Sequence, residues 1–154
     1  MLEKQIKPNS ATFTSVLSMC SHLGQVDKGW QVFRMMTRDY GLNPNPEHFG
    51  CMVDLFGRSG KLDVARMLIE GMSDPPASVF ASLLGSCRHH LNFELGEEMA
   101  MKLSDLKPGD PSPLVILSNI YAGAGRWDDV ERIREMINAR ELRKLPGYSS
   151  IALT

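Results

Sequence analysis

The chain has 154 residues, 43% of them hydrophobic and 23% charged, and a net charge of −1 at pH 7. Those are values of a folded domain, and they exclude a broadly cationic nucleic-acid binder. No apolar run approaches the ~20 residues that span a bilayer, so no membrane partner is expected, and the residues after Met1 lack the pattern of a secretory or organellar presequence.

Met1, Ile6, Lys7, Pro8 and Asn9 look like the closing turn and last residue of a preceding repeat. Residues 1–9 are therefore expected to be the truncated end of that repeat, with any targeting segment further upstream and one apolar face of the next hairpin uncovered. Phe13, Val16, Leu17 and Cys20 then recur at i, i+3, i+4 and i+7 and predict a helix over 10–22. Gly24 marks a tight turn, and Asp27, Gly29, Val32 and Met36 predict a second helix over 26–39. An acid opening a helix meets the positive end of its dipole and its free backbone N–H groups. Pro44 and Pro46 close this unit at 10–45.

The plan recurs in 46–76: Phe49, Met52, Val53 and Phe56 predict a helix over 46–58, Gly60 the turn, and Asp63, Ala65, Leu68 and Met72 a helix over 62–72, ended by Pro75 and Pro76. In 77–110, Phe80, Leu83, Leu84 and Cys87 predict a helix over 77–89, the turn falls on Leu91, and Glu94, Gly96, Met99 and Leu103 predict a helix over 93–106. After Pro108, Pro111 and Pro113, the unit 111–151 carries Leu114, Leu117, Ser118 and Tyr121 on a helix over 111–123, the turn Gly125, a helix over 127–139 with Asp128, Val130, Ile133 and Ile137, and a tail.

The turn positions lie 36, 31 and 34 residues apart. A period of about 34 that regenerates a helical stripe means a helical repeat, because one hairpin cannot bury its stripe alone and must stack on a neighbour. The predicted fold is all-α, an α-solenoid of four stacked antiparallel hairpins with about eight helices. An ordinary eight-helix globule with accidental spacing would not repeat several columns in register. Such a surface docks macromolecules; it does not form a pocket that transforms a substrate.

The chemical candidates are few. Cys20, Cys51 and Cys87 never form C-x-x-C, and Cys20 and Cys87 share the core column of Phe56 and Tyr121, as small buried hydrophobes in a reducing compartment would. His48 and Cys51 share a helix face but make only two ligands, and the adjacent His89 and His90 diverge by about 100° on a helix. Gly123-Ala124-Gly125 falls in the turn column and lacks the strand and Lys-Ser/Thr of a phosphate loop. No G-x-S-x-G occurs, nor the H-x-E and P-C-x-x-C of a zinc deaminase. No metal, cofactor or enzymatic activity is expected of this chain. Charge is uneven: net +2 in 1–45, −2 in each of 46–76 and 77–110, and +1 in 111–154, so phosphate contacts would be few.

A hairpin of about 35 residues with Thr12-Phe13, Gly24, Val26-Asp27, Phe33, Met36 and Pro44 resembles a pentatricopeptide repeat, the RNA-binding solenoid unit of plant organelles. Glu47-His48-Phe49, Cys51-Met52-Val53-Asp54-Leu55 and Gly57-Arg58-Ser59-Gly60-Lys61-Leu62 are similar to the last repeat of the subclass that alternates long and short repeats. Leu83-Leu84-Gly85, Cys87-Arg88, His90 and Asn92, then Leu117-Ser118-Asn119-Ile120-Tyr121-Ala122 and Gly125-Arg126-Trp127, resemble the two C-terminal extension motifs of that subclass. Lys144, Pro146-Gly147, Ser149 and Ile151 resemble the segment that closes the second. In these terms 10–45 is a long-type repeat, 46–76 a short-type repeat, 77–110 the first extension motif and 111–151 the second with its tail.

The resemblance implies a site-recognition factor for C-to-U RNA editing in mitochondria or chloroplasts. It implies single-stranded organellar RNA as one partner, bound by the repeats, and a deaminase or other editing protein as another, met by the extension motifs in cis or in trans. In this family one base is read by the residue after the first-helix aromatic together with the last residue of the repeat. Carried over, these are Thr14 with Asn45, a pair implied to favour adenine, and Asn9 as the closing residue of the truncated repeat. The equivalent later positions, Gly50, Ala81 and Val115, offer a base no hydrogen bond. Leu91 stands where the family usually has Gly, Phe80 where it has Trp, and Ser150 where Trp is common. An alternative is a scaffold subunit of an organellar ribonucleoprotein without an editing role.

Overall fold

The structure, a computed structural model, describes residues 7–144. Residues 1–6 and the closing segment with Pro146-Gly147, Ser149, Ser150 and Ile151 lie outside the described residues. Within them every regular element is helical: α1 Ser10–Leu23, α2 Val26–Arg34 continued by the π-turn Met35–Asp39, α3 Pro46–Arg58, α4 Leu62–Glu70, α5 Ala77–His90, α6 Phe93–Leu106, α7 Ser112–Gly123 and α8 Trp127–Lys144. The predicted all-α hairpin fold is the observed one, with each helix within a few residues of its predicted bounds except α8, which runs further. The chain forms two compact units, Met1–Ser86 and Cys87–Thr154.

In the first unit α1 pairs with α2 and α3 with α4, and α3 also packs on α1 and α2. The stripe residues Leu17, Met52, Val53, Leu83 and Leu84 are buried, as are Phe13, Cys20, Phe56 and Phe80. Val16 departs from its expected burial: it is 36% exposed, beside exposed Met19 and Leu23 on the same helix. No described element covers that edge of α1. Phe49 is only half-buried, since it meets the α2 ring of Phe33 edge-on at 5.7 Å. Trp30, stacked on Phe33, also meets Phe56, so α2 grips α3 through aromatic rings.

The close approach of helices rests on two glycines. A Cβ on Gly29 would collide with Leu55, and one on Gly57 with Ser86. The π-turn at Met35–Asp39 is a departure from the regular helix predicted over 26–39. The Thr37 hydroxyl donates to the carbonyls of Phe33 and Arg34 at 3.2 and 3.1 Å, competing for acceptors that the α ladder would use. The chain leaves the turn through Leu42 N–H to Met36 O at 3.0 Å.

In the second unit α7 packs on α6 and α8. Its core holds Leu95, Met99, Leu103, Leu114, Leu117, Ile120, Tyr121, Val130 and Ile133.

One device closes all four hairpins. Gly24, Gly60, Leu91 and Gly125 each take positive φ, at +68°, +82°, +52° and +73°. The following N–H then reaches back over the turn: Gln25 to Cys20 O, Lys61 to Phe56 O, Asn92 to Cys87 O and Arg126 to Tyr121 O, at 2.9 to 3.1 Å. This pattern satisfies carbonyls that a helix end would otherwise leave open. The acceptor is in every case the last residue of the apolar stripe, which explains why stripe and turn keep a constant offset.

Candidate nucleic-acid interface

Asn9 and Asn45 occupy the same place, one residue before α1 and α3. Both adopt extended backbone there and accept from the N–H three residues on, Thr12 at 2.9 Å and His48 at 3.0 Å. Thr12 Oγ1 and His48 Nδ1 accept from the asparagine N–H in return, at 3.4 and 3.0 Å. These are reciprocal caps of the kind that stabilise a helix start by about 1 kcal/mol. Each asparagine is thereby the opening cap of the helix that follows it.

The structure brings Thr14 and Asn45 together through Ser10. Thr14 Oγ1 donates to the Ser10 carbonyl at 3.1 Å, and Asn45 Nδ2 donates to Ser10 Oγ at 3.2 Å. Both side chains are half-buried, whereas Asn9 is exposed. Thr14 also lines a cleft of about 550 Å³ with Ser18, Pro46, Gly50, Cys51 and Asp54. Burial and the charges of Asp54 and Glu47 raise the Cys51 thiol, which suits a neutral wall and not a nucleophile.

Asp54 also lines that cleft. Its carboxylate accepts from the hydroxyls of Ser21 on α1 and Ser82 on α5 and pairs with Arg58 at 3.0 Å. Its charge would repel phosphate. Gly50 adds no polar group to the cleft, and in later positions Ala81 and Val115 are exposed and apolar.

The second unit carries a polar cluster that the sequence reading missed. Glu97 on α6 accepts from Tyr121 Oη at 2.6 Å and from both terminal nitrogens of Arg132 at 2.8 Å. Arg132 also reaches Asp129 at 3.2 Å, and Asp129 pairs with Arg126 at 2.9 Å. The Arg126 guanidinium lies over the rings of Phe93 and Tyr121, which stack at 5.4 Å. The bonds from Arg132, then from Tyr121, hold the Glu97 carboxyl below the usual carboxylate range. Burial, then the Glu97 carboxylate, pushes the Tyr121 hydroxyl up to about 12, and the Glu97 bond raises Arg132. Bidentate, charge-assisted pairs of this kind fix geometry. The residues surround a cleft of about 660 Å³. No local spacing announced it, because Glu97 bonds Tyr121 and Arg132 across 24 and 35 residues.

His48, considered as half of a metal pair with Cys51, has both ring nitrogens within hydrogen-bonding distance of Asn45 and Ser10. Among the described residues no group of three or more His, Cys, Asp and Glu side chains is arranged to hold a metal ion. None of their helices is long and apolar enough to cross a membrane.

Residues 11–40 and 47–74 match the PPR repeat family, and residues 90–152 match the E motif. An Arabidopsis thaliana pentatricopeptide repeat-containing protein, At2g02750, is 57% identical over 96% of this chain and 24% of its own length. Two other Arabidopsis thaliana pentatricopeptide repeat-containing proteins are similar: At4g19191, mitochondrial, at 43% identity over 98% of this chain and 23% of its own, and CRR2, chloroplastic, at 45% over 96% and 22%. The chain thus spans about a quarter of the length of these relatives. The crystal structure of the maize pentatricopeptide repeat protein PPR10 superposes on 88% of this chain and 20% of its own with a TM-score of 0.70 at 18% identity, a likeness of fold. This chain belongs to the pentatricopeptide repeat family and carries an E motif after its repeats.

Proposed function

We propose that the chain is the C-terminal part of an organellar RNA-binding protein that selects sites for C-to-U editing. The observation that carries this reading is the direct succession of two PPR repeats and an E motif along one chain. The first unit makes the last base contact, through Thr14 and Asn45, whose hydroxyl and amide can bond a base edge. Asn9 serves the preceding repeat in the same way. RNA contact then fades toward the second unit, because Gly50, Ala81 and Val115 supply no donor or acceptor. The second unit presents a protein-binding face to a deaminase or another editing factor. Exposed Val115 and Ile116 on α7, with exposed Trp127 on α8, supply apolar surface for such a contact. The mitochondrial and chloroplastic relatives support a location in one of these organelles.

Crosslinking of the full-length protein to organellar transcripts, combined with editing profiles of plants that lack it, tests the reading. Crosslinks upstream of a cytidine that is no longer edited are expected. No transcript-specific crosslink, with every editing site unchanged, contradicts it.

The net −2 of residues 46–76 and of 77–110 favours a second reading, a scaffold subunit of an organellar ribonucleoprotein. Purification separates them: a stoichiometric subunit favours the scaffold, a transient association with a deaminase the editing factor.

A further inference from the structure

The reading of Thr14 and Asn45 as a base-recognition pair leaves open what decides how the Asn45 amide is turned. An asparagine amide has a donor end and an acceptor end, and rotation by 180° exchanges them. A base edge is discriminated only if that choice is fixed. The surroundings of Asn45 fix it. Its Oδ1 faces the His48 backbone N–H at 3.0 Å and its Nδ2 faces Ser10 Oγ at 3.2 Å. The flipped amide would set N–H against N–H at His48.

His48 is fully buried, a rare state for a polar ring unless its nitrogens are satisfied. Nε2 lies 2.9 Å from the Ser10 carbonyl, which can only accept, so Nε2 carries the proton. Nδ1 is then the acceptor, and it receives the Asn45 N–H at 3.0 Å. The ring is locked as one neutral tautomer, with each nitrogen committed to one side of the same joint. Ser10 is the hub: its carbonyl takes Thr14 and His48, and its hydroxyl takes Asn45 and lies 3.4 Å from His48 Nε2. The two candidate base-reading side chains come from opposite ends of one repeat, 31 residues apart in sequence. Ser10 and His48 are what join them.

We infer that Ser10 and His48 are positioning residues for base recognition: they hold the Asn45 amide in one orientation beside Thr14 and so set the donor and acceptor pattern that the RNA base meets. The inference rests on the proposed role of Thr14 and Asn45. It adds that the base preference of this site depends on two residues that face the protein and not the RNA. The half-buried hydroxyl of Ser10 and the buried ring of His48 are the parts an exposed, freely rotating asparagine would lack.

The test is base discrimination by the full-length protein, measured as the affinity ratio between its transcript with adenine and with each other base at the nucleotide facing Thr14 and Asn45. Ser10→Ala removes the acceptor from Asn45 Nδ2 and leaves the helix start intact. It is expected to lower the ratio roughly fivefold, the weight of one hydrogen bond, while the salt dependence of binding stays unchanged. Ser10→Thr keeps the hydroxyl and should restore the ratio. His48→Leu, measured below its melting temperature, should lower it as Ser10→Ala does. A ratio unmoved by Ser10→Ala and His48→Leu, in a protein where Asn45→Ala abolishes it, overturns the positioning role and leaves the base-reading pair standing. No discrimination in the wild-type protein, or none lost in Asn45→Ala, overturns the pair itself and this inference with it.

Discussion

Leu91 is the residue most at odds with its surroundings. Three of the four hairpin turns use Gly at positive φ, and the third uses Leu91 at +52° with its side chain 57% exposed. An L-residue pays about 1–2 kcal/mol in this region, and the exposed side chain regains little by packing. Leu91→Gly should therefore stabilise the second unit by about 1 kcal/mol after the larger unfolded-state entropy of Gly is counted. Chemical denaturation would show a raised midpoint at constant slope; a lowered midpoint would contradict the strain.

Glu97 gives a pH prediction in the same unit. Its folded-state value is held below the unfolded one, chiefly by Arg132. The unfolded chain therefore binds the proton first as pH falls. The stabilisation is complete above the unfolded value near 4.3 and is lost as pH drops through the folded value. Melting curves from pH 7 to 2 should fall along this limb. Glu97→Gln should start lower at pH 7 and show a shallower acid decline; an acid limb identical to wild type would remove Glu97 from the account. Such behaviour was not readable from sequence, where Glu97 is one of several acids on α6 and its partners lie on other helices.

At the scale of the element, the regular parts were legible and the irregular ones were not. Apolar stripes at i, i+3, i+4 and i+7 located every first helix, and even the Leu91 turn was found, because its offset from Cys87 equals that of Gly24 from Cys20. The π-turn at Met35–Asp39 escaped, since Thr37 bonding to carbonyls leaves no periodic trace. The caps are half legible: the family resemblance marks Asn9 and Asn45 as closing positions, and the Asn-x-x-Thr and Asn-x-x-His spacing is the local signal that makes them caps. Thr14 and Asn45 came from family resemblance, and no spacing rule could supply Ser10 or His48.

The stripe register itself is open to test. Leu84 is 1% exposed in the core of the first unit. Leu84→Asp would bury a carboxylate without a partner, a cost of at least ~3 kcal/mol. The melting temperature of the first unit should fall sharply. An unchanged melting curve would mean that α5 does not present this face to its neighbours.

For the whole molecule, charge is uneven along the chain: net +2 in residues 1–45, −2 in each of 46–76 and 77–110, and +1 in 111–154. The proposed base-reading pair lies in the most basic of these segments, residues 1–45. In the first unit, Asp54, stitched to Ser21 and Ser82, sets a negative charge in the cleft that Thr14 also lines. In the second, the charges of Glu97, Asp129, Arg126 and Arg132 are bonded to one another, which makes a firm platform with apolar patches on α7 and α8. On the proposed reading, a polyanion gains from the first arrangement only at its start, whereas a protein partner gains from the second.

The claim at the centre is that RNA bases are read by this chain at Thr14 and Asn45 and nowhere after them. The direct measurement is binding of the full-length protein to its transcript with each nucleotide varied in turn, for the wild type and the double variant Thr14→Ala, Asn45→Ala. The account predicts that the double variant loses base preference at one nucleotide, the last one read, and keeps it at all others. Preference lost at no nucleotide, or retained preference at nucleotides further along that depends on residues 77–144, would contradict it.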